Sequence, residues 1–231
     1  MNNIVNSAYF GLVLSLFAYY LGVKLKEKTK WAFCNPLLVS AILIIGLLFI
    51  LNIDYEVYNQ GAQYLTYLLT PATVCLALPL YREVKILKEH SVLIFISLLA
   101  GCITCFIVIG GLALLWHLDQ ILTISLLPKS ITTAIAIDLT KEIGGISGIT
   151  VASVVITGIF ASVIAPSIFK WFHITHPVAQ GLALGASGHA IGTSKALELG
   201  EIQGAMSSLA IVVTGILTVI IVPMITPLFI Y

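Results

Sequence analysis

Residues 91–116 read Ser-Val-Leu-Ile-Phe-Ile-Ser-Leu-Leu-Ala-Gly-Cys-Ile-Thr-Cys-Phe-Ile-Val-Ile-Gly-Gly-Leu-Ala-Leu-Leu-Trp, without one charged side chain. Such a run offers no polar face to water, and a helix of about 20 apolar residues spans the hydrocarbon core of a bilayer. Seven more apolar runs flank it: Ser7 to Val23, Ala32 to Leu51, Tyr64 to Leu80, Ile121 to Thr140, Ile149 to Phe169, Val178 to Leu199 and Ala205 to Tyr231. The 231-residue chain is 59% hydrophobic and only 9% charged, where an average soluble domain has roughly 25% charged residues. A soluble globular protein is excluded. The composition predicts an all-α polytopic membrane protein with seven or eight transmembrane segments in a single integral membrane domain, residues 1–231. Residues 1–116 then form a four-span first half and 117–231 a second half.

Eleven Lys+Arg against ten Asp+Glu leave a formal charge of +1, which gives no basic surplus to release counterions from nucleic acid. The opening MNNIVNSAYF lacks a basic region and reads as the start of a first crossing, not a removable signal peptide. The connections KLKEKTK (24–30) and REVKILKEH (82–90) are basic, whereas NIDYEVYNQ (52–60) and HLDQ (117–120) hold no Lys or Arg. Because Lys and Arg mark the cytoplasmic side, eight crossings place Lys24, Lys26, Lys28, Lys30, Arg82, Lys85, Lys88 and Lys141 inside. Lys170 alone is then outside, as are both termini. The fifth and seventh segments contain Pro, Gly and polar residues that suit re-entrant hairpins equally well. An internal echo adds to this: Thr157-Gly158-Ile159 recurs 57 positions later as Thr214-Gly215-Ile216, and Pro71 and Pro128 share that spacing. Repeats are ordinary in transporter folds.

Two segments break the rule that membrane spans are apolar. In Leu127-Pro128-Lys129-Ser130-Ile131-Thr132-Thr133, Lys129 falls near mid-span, where an ammonium costs about 3 kcal/mol on insertion scales. Pro128 frees backbone carbonyls, so a half-helix is expected to begin near Lys129 and Ser130 with its positive end facing a cavity. In the second stretch, Gly181, Gly185, Gly188 and Gly192 would share one face of a continuous helix and form a packing seam. Unwound backbone presenting amides to a ligand is the alternative. Ser187, His189, Thr193, Ser194 and Lys195 follow at the same depth. Ammonium, hydroxyl and imidazole groups suit a small carboxylate. The candidate substrate-binding residues are Lys129, Ser130, Thr132, Thr133, Ser187, Gly188, His189, Gly192 and Thr193. The competing reading has these groups satisfying one another in a packed bundle, with Lys195 snorkelling to the inner surface.

Asp138 and Lys141 are spaced for an interfacial ion pair; a deeper Asp138, or His189, would instead carry a coupling proton or Na⁺. No other cofactor and no metal site is expected. His90, His117, His173 and His176 read as loop residues, and Asn35-Pro36 and Pro79 as kinks. Cys34, Cys75, Cys102 and Cys105 read as small hydrophobes. No HExxH motif or membrane-embedded Ser/His/Asp set is present, so an enzyme is not expected.

With PKSITTAIA from Pro128, IGG at 143–145, ASGHAIGTSKALE at 186–198 and GAMSSLA at 204–210, the chain resembles the LrgB/CidB family of bacterial membrane proteins. The likeness covers nearly the whole chain and is densest from Leu127 to Pro223. It implies a multi-pass protein of the bacterial plasma membrane. It also implies an antiholin-like role with a small holin-like (LrgA/CidA-type) partner in controlling murein hydrolase activity and autolysis, or cytolysis. Plastid relatives carry glycolate and glycerate, and bacterial members are linked to pyruvate, so carriage of a small carboxylate is implied too. Two functions follow: a secondary carrier whose activity influences autolysis, or a non-transporting regulator docked through its glycine faces, with homo-oligomers open to either.

Overall fold

The computed structural model describes Ser7, residues 9–29, residues 36–68, Pro71, Val74, Cys75, Tyr81 and residues 84–229. It is all-helical, with no strand among those residues. The chain divides into two compact units, Met1–Cys75 and Leu76–Tyr231. Lys30, Cys34, Asn35, Pro79 and Arg82 lie outside the described residues.

The first unit holds α1 (Phe10–Thr29), α2 (Pro36–Ile50) and α3 (Tyr55–Tyr67). Helix α1 runs on through the basic residues expected to form a connection, as the good helix formers Lys and Glu allow. Residues 55–60 are likewise helical: Asp54 stands extended at the N-cap (φ −64°, ψ 141°) and starts α3. Gly11 lets α1 approach Tyr58 and Ala62 of α3 closely, and Ser15 Oγ and the Tyr58 hydroxyl are hydrogen-bonded at 2.7 Å. Pro36 is the first residue of α2, where its missing N–H has no intrahelical acceptor to lose.

The second unit contains α4 (Val84–Leu115), α5 (Gln120–Leu126), α6 (Thr133–Glu142), α7 (Ser147–Trp171), α8 (Pro177–Leu199) and α9 (Glu201–Ile225), closed by a 3₁₀ turn at Thr226–Phe229. Among the described residues, three stretches are long and apolar enough to cross a membrane: Lys88–Leu115, Ser147–Trp171 and Glu201–Phe229. The fifth and seventh segments are hairpins. In a single helix Ser125 and Ile146 would stand about 31 Å apart at 1.5 Å per residue. Instead, the Ile146 N–H donates to Ser125 Oγ at 2.7 Å and Thr150 Oγ1 donates to the Ser125 carbonyl at 2.8 Å. The chain enters along α5, turns through residues 127–132 and returns along α6. A hydroxyl pair between Thr140 and Thr150 at 2.9 Å secures the return, and Gly145 leaves room for the Ser125 and Thr140 side chains.

Helix α8 folds back at His189, whose φ of 40° and ψ of −127° interrupt the helix. Those angles approach the first central residue of a type II′ turn, a conformation that favours glycine. Gly192 consequently lies against the Leu184 carbonyl, although eight residues of straight helix would separate the two by about 12 Å. The four glycines therefore do not share one face. Gly181 and Gly185 admit the α9 backbone at Gln203 and Ser207, Gly188 admits Ala161 of α7, and Gly192 admits its own helix's first arm.

The contacts also set direction. Gly181 meets Gln203 and Gly185 meets Ser207, so the first arm of α8 runs parallel to α9. On the second arm, Thr193 bonds Ser207 at 2.7 Å and Leu197 packs on Gly204, so that arm runs back. Phe229 packs on Gly110, so α9 and α4 finish at the same end. The α8 hairpin thus enters from the His90 end and the α5–α6 hairpin from the Leu115 end. Helix α7 runs from near Ser125 toward the α8 base, where Ala165 and Phe169 cluster with Leu184 and Ala196. Lys170 therefore lies at the His90 end and Lys141 toward the other, the reverse of the eight-crossing assignment, because each hairpin returns its chain to the side it came from.

Candidate functional site

A cavity of about 780 Å³ lies between α4, the first arm of α8 and the tip of the α5–α6 hairpin. Aliphatic side chains such as Leu93, Leu98 and Leu182 form most of its wall. His90 and His176 line it and are both exposed. His90 is not in a loop: it sits inside α4 at a local kink (φ −119°, ψ 16°). His176 is the N-cap of α8.

The polar part of the cavity is at the hairpin tip. Lys129 and Ser130, both half-buried, line it, and Lys129 Nζ donates to Ser130 Oγ at 3.1 Å. Cys105 Sγ stands 3.5 Å from the same hydroxyl. Thr157 of α7, Ser187 of α8 and Thr218 of α9 line the same cavity. The Thr157 side-chain hydroxyl makes no hydrogen bond to any described residue. No Asp or Glu lines the cavity, and Lys129 forms no ion pair among the described residues. An ammonium, one of whose three N–H groups is used, and the hydroxyls of Ser130 and Thr157 face a space with no anion among the described residues of its wall.

The other expected site residues lie elsewhere. Thr132 is the N-cap of α6 and Thr133 its first residue, so the half-helix begins at Thr133, later than Lys129 and Ser130. The turn needs residues 127–132 to reverse the chain, which leaves them unavailable for helix. His189 is 3% exposed, and its Nε2–H donates to the Val154 carbonyl at 3.1 Å. Gly188 and His189 set the α8 tip against α7, Gly192 lies against its own first arm, Thr193 bonds α9, and none of the four lines the cavity. Ser187 reaches the cavity, but its hydroxyl donates to the Ala183 carbonyl at 2.6 Å. Lys195 pairs with Glu198 at 2.8 Å. Asp138 is exposed on α6, and the Asp138–Lys141 ion pair is absent among the described residues.

Sequence reasoning missed Thr157, Thr218, His90 and His176. Thr157 had a signal, since it opens one copy of the Thr-Gly-Ile echo. No group of three or more metal-binding side chains occurs among the described residues.

These features, two polar hairpin tips inside an apolar helical protein, can be set beside known sequences. The LrgB-like family pattern matches residues 15–228. The chain belongs to the LrgB-like family. Among its curated relatives is the antiholin-like protein LrgB of Bacillus subtilis (strain 168), 41% identical over 218 residues, 94% of each chain. The antiholin-like protein LrgB of Bacillus cereus (strain B4264) is 39% identical over 220 residues, 95% of this chain and 96% of that one. A Bacillus anthracis protein of the same name (strain CDC 684 / NRRL 3495) matches to the same extent. No solved structure matches this LrgB-like chain.

Proposed function

We propose that the chain is a secondary carrier of a small carboxylate of the pyruvate or glycolate class, and that it influences murein hydrolase activity and autolysis through that transport. The observation that carries this reading is Lys129: a half-buried ammonium at a hairpin tip, facing a cavity without a carboxylate. An uncompensated charge at that depth is expensive, and a bound anion supplies the missing partner. Lys129 Nζ and the hydroxyls of Ser130 and Thr157 supply donors for one carboxylate, a charge-assisted arrangement stronger than neutral hydrogen bonds.

The Lys-rich end of the second unit carries Lys85, Lys88 and Lys170, and we assign it to the cytoplasm of a bacterial plasma membrane. In that orientation the cavity faces inward, α9 ends outside, and three crossings with two re-entrant hairpins form the second unit. A coupling H⁺ or Na⁺ and a small holin-like partner belong to this proposal; exposed Asp138 is the candidate carboxylate for coupling.

The second reading, a non-transporting regulator docked through its glycines, draws support from the antiholin-like name of the relatives. Its docking seam is already occupied, since Gly181 and Gly185 are filled by α9 of the same chain. The test is reconstitution into liposomes, with and without a holin-like partner, and measurement of uptake of labelled pyruvate and glycolate. Uptake above empty liposomes is the expected result; none with either acid would overturn the carrier reading.

A further inference from the structure

The two hairpins correspond position by position. Adding 57 to the ends of the first hairpin, Gln120 and Glu142, gives Pro177 and Leu199, the ends of the second. The same shift takes Ser130 to Ser187, and both line the cavity. It takes Thr150, which ties the first hairpin to α7, to Ser207, which ties the second to α9. It also takes Gly158 to Gly215. A Cβ on Gly158 would meet His189 Cε1 of the second hairpin at 2.9 Å, and one on Gly215 would meet Ile135 Cδ1 of the first at 3.5 Å. Each hairpin is bonded to the helix that follows it and touches the corresponding glycine of the other pair. The two hairpins enter from opposite ends, so the pairs are inverted copies, the construction from which alternating access is built.

The copies are not in equivalent states. The contact at Gly158 is tight and the one at Gly215 is loose. We infer that the chain has a second access path at the Leu115 end, opened when the two pairs exchange states, so that Gly215 becomes the tight contact. Where the second hairpin walls the present cavity, the first hairpin walls the second path, through the positions 57 before: Leu122 and Leu126 replace Ala179 and Ala183. The inference rests on the carrier reading for its purpose, but not for its test.

The test uses the full chain in sealed membrane vesicles of both orientations, with the four native cysteines replaced by alanine. Ala183→Cys and Leu126→Cys are each labelled with a membrane-impermeant maleimide. Ala183→Cys should react only from the His90 side and Leu126→Cys only from the opposite side. Adding Gly215→Ala fits the present state, where the new Cβ makes an ordinary contact, and crowds the exchanged one. Overpacking disfavours that state, so Leu126→Cys labelling should slow by about fivefold or more while Ala183→Cys labelling persists. That persistence shows that the variant is folded. Labelling of both positions from one side, or none at Leu126→Cys, or Leu126→Cys labelling unaffected by Gly215→Ala, would overturn the inference. Opposite-sided labelling in a protein that moves neither pyruvate nor glycolate would uphold the second path and defeat the substrate assignment alone.

Discussion

His189 Nε2 donates to the Val154 carbonyl at 3.1 Å and thereby fastens the tip of one hairpin to the middle of α7. The same residue holds the positive φ that reverses α8, so its side chain stabilises a backbone that its own Cβ disfavours. Such strain costs about 1–3 kcal/mol, and a buried hydrogen bond contributes about 1 kcal/mol. His189→Gly should relieve the first and lose the second, ending within about 1–2 kcal/mol of the parent protein. His189→Val adds a β-branched side chain at the positive φ and should be the least stable of the pair. Thermal unfolding in detergent orders them; a His189→Val protein as stable as His189→Gly would contradict this role.

Thr150 links both arms of the first hairpin to α7, through Thr140 and the Ser125 carbonyl. Thr150→Val keeps the shape and removes the hydroxyl, leaving the buried Thr140 hydroxyl and Ser125 carbonyl one bond short. The expected loss is about 1–3 kcal/mol, read as a lower unfolding temperature. Thr150→Ser should retain most of the stability, so an equal loss in both variants would show that packing and not the hydroxyl matters.

Cys105 is a native reporter of site occupancy, because its Sγ lies 3.5 Å from Ser130 Oγ at the cavity wall. With Cys34, Cys75 and Cys102 replaced by alanine, a small thiol reagent should modify Cys105, and saturating pyruvate or glycolate should slow the modification. With Lys129→Gln the protection should disappear. Equal rates with and without the acid would mean that the ligand binds elsewhere.

Much of this architecture is legible in the sequence, and the parts that are not have physical reasons. Polar residues at Lys129 and His189 mark the two chain reversals, because only a broken helix tolerates them. Whether each segment crosses or returns is set by contacts distant in sequence, such as Ser125 with Ile146 and Gly185 with Ser207. Periodicity carries no information about those pairs. For the same reason the glycines read as one helical face, whereas the turn at His189 sends them to three partners. Lys129, Ser130 and Ser187 could be placed at the cavity from their chemistry. Thr157 could not, since a lone threonine on an apolar helix more often bonds its own backbone, as Thr214 does to the Ala210 carbonyl at 2.6 Å.

The claim that an anion rests on Lys129 is tested most directly by paired uptake in proteoliposomes holding equal amounts of wild-type, Lys129→Arg and Lys129→Gln protein. A charge-assisted hydrogen bond is worth about 1.5–3 kcal/mol, so Lys129→Gln should lose about tenfold or more in carboxylate uptake at low concentration, with Lys129→Arg intermediate. Carboxylate uptake by Lys129→Gln equal to that of the wild type would contradict the account.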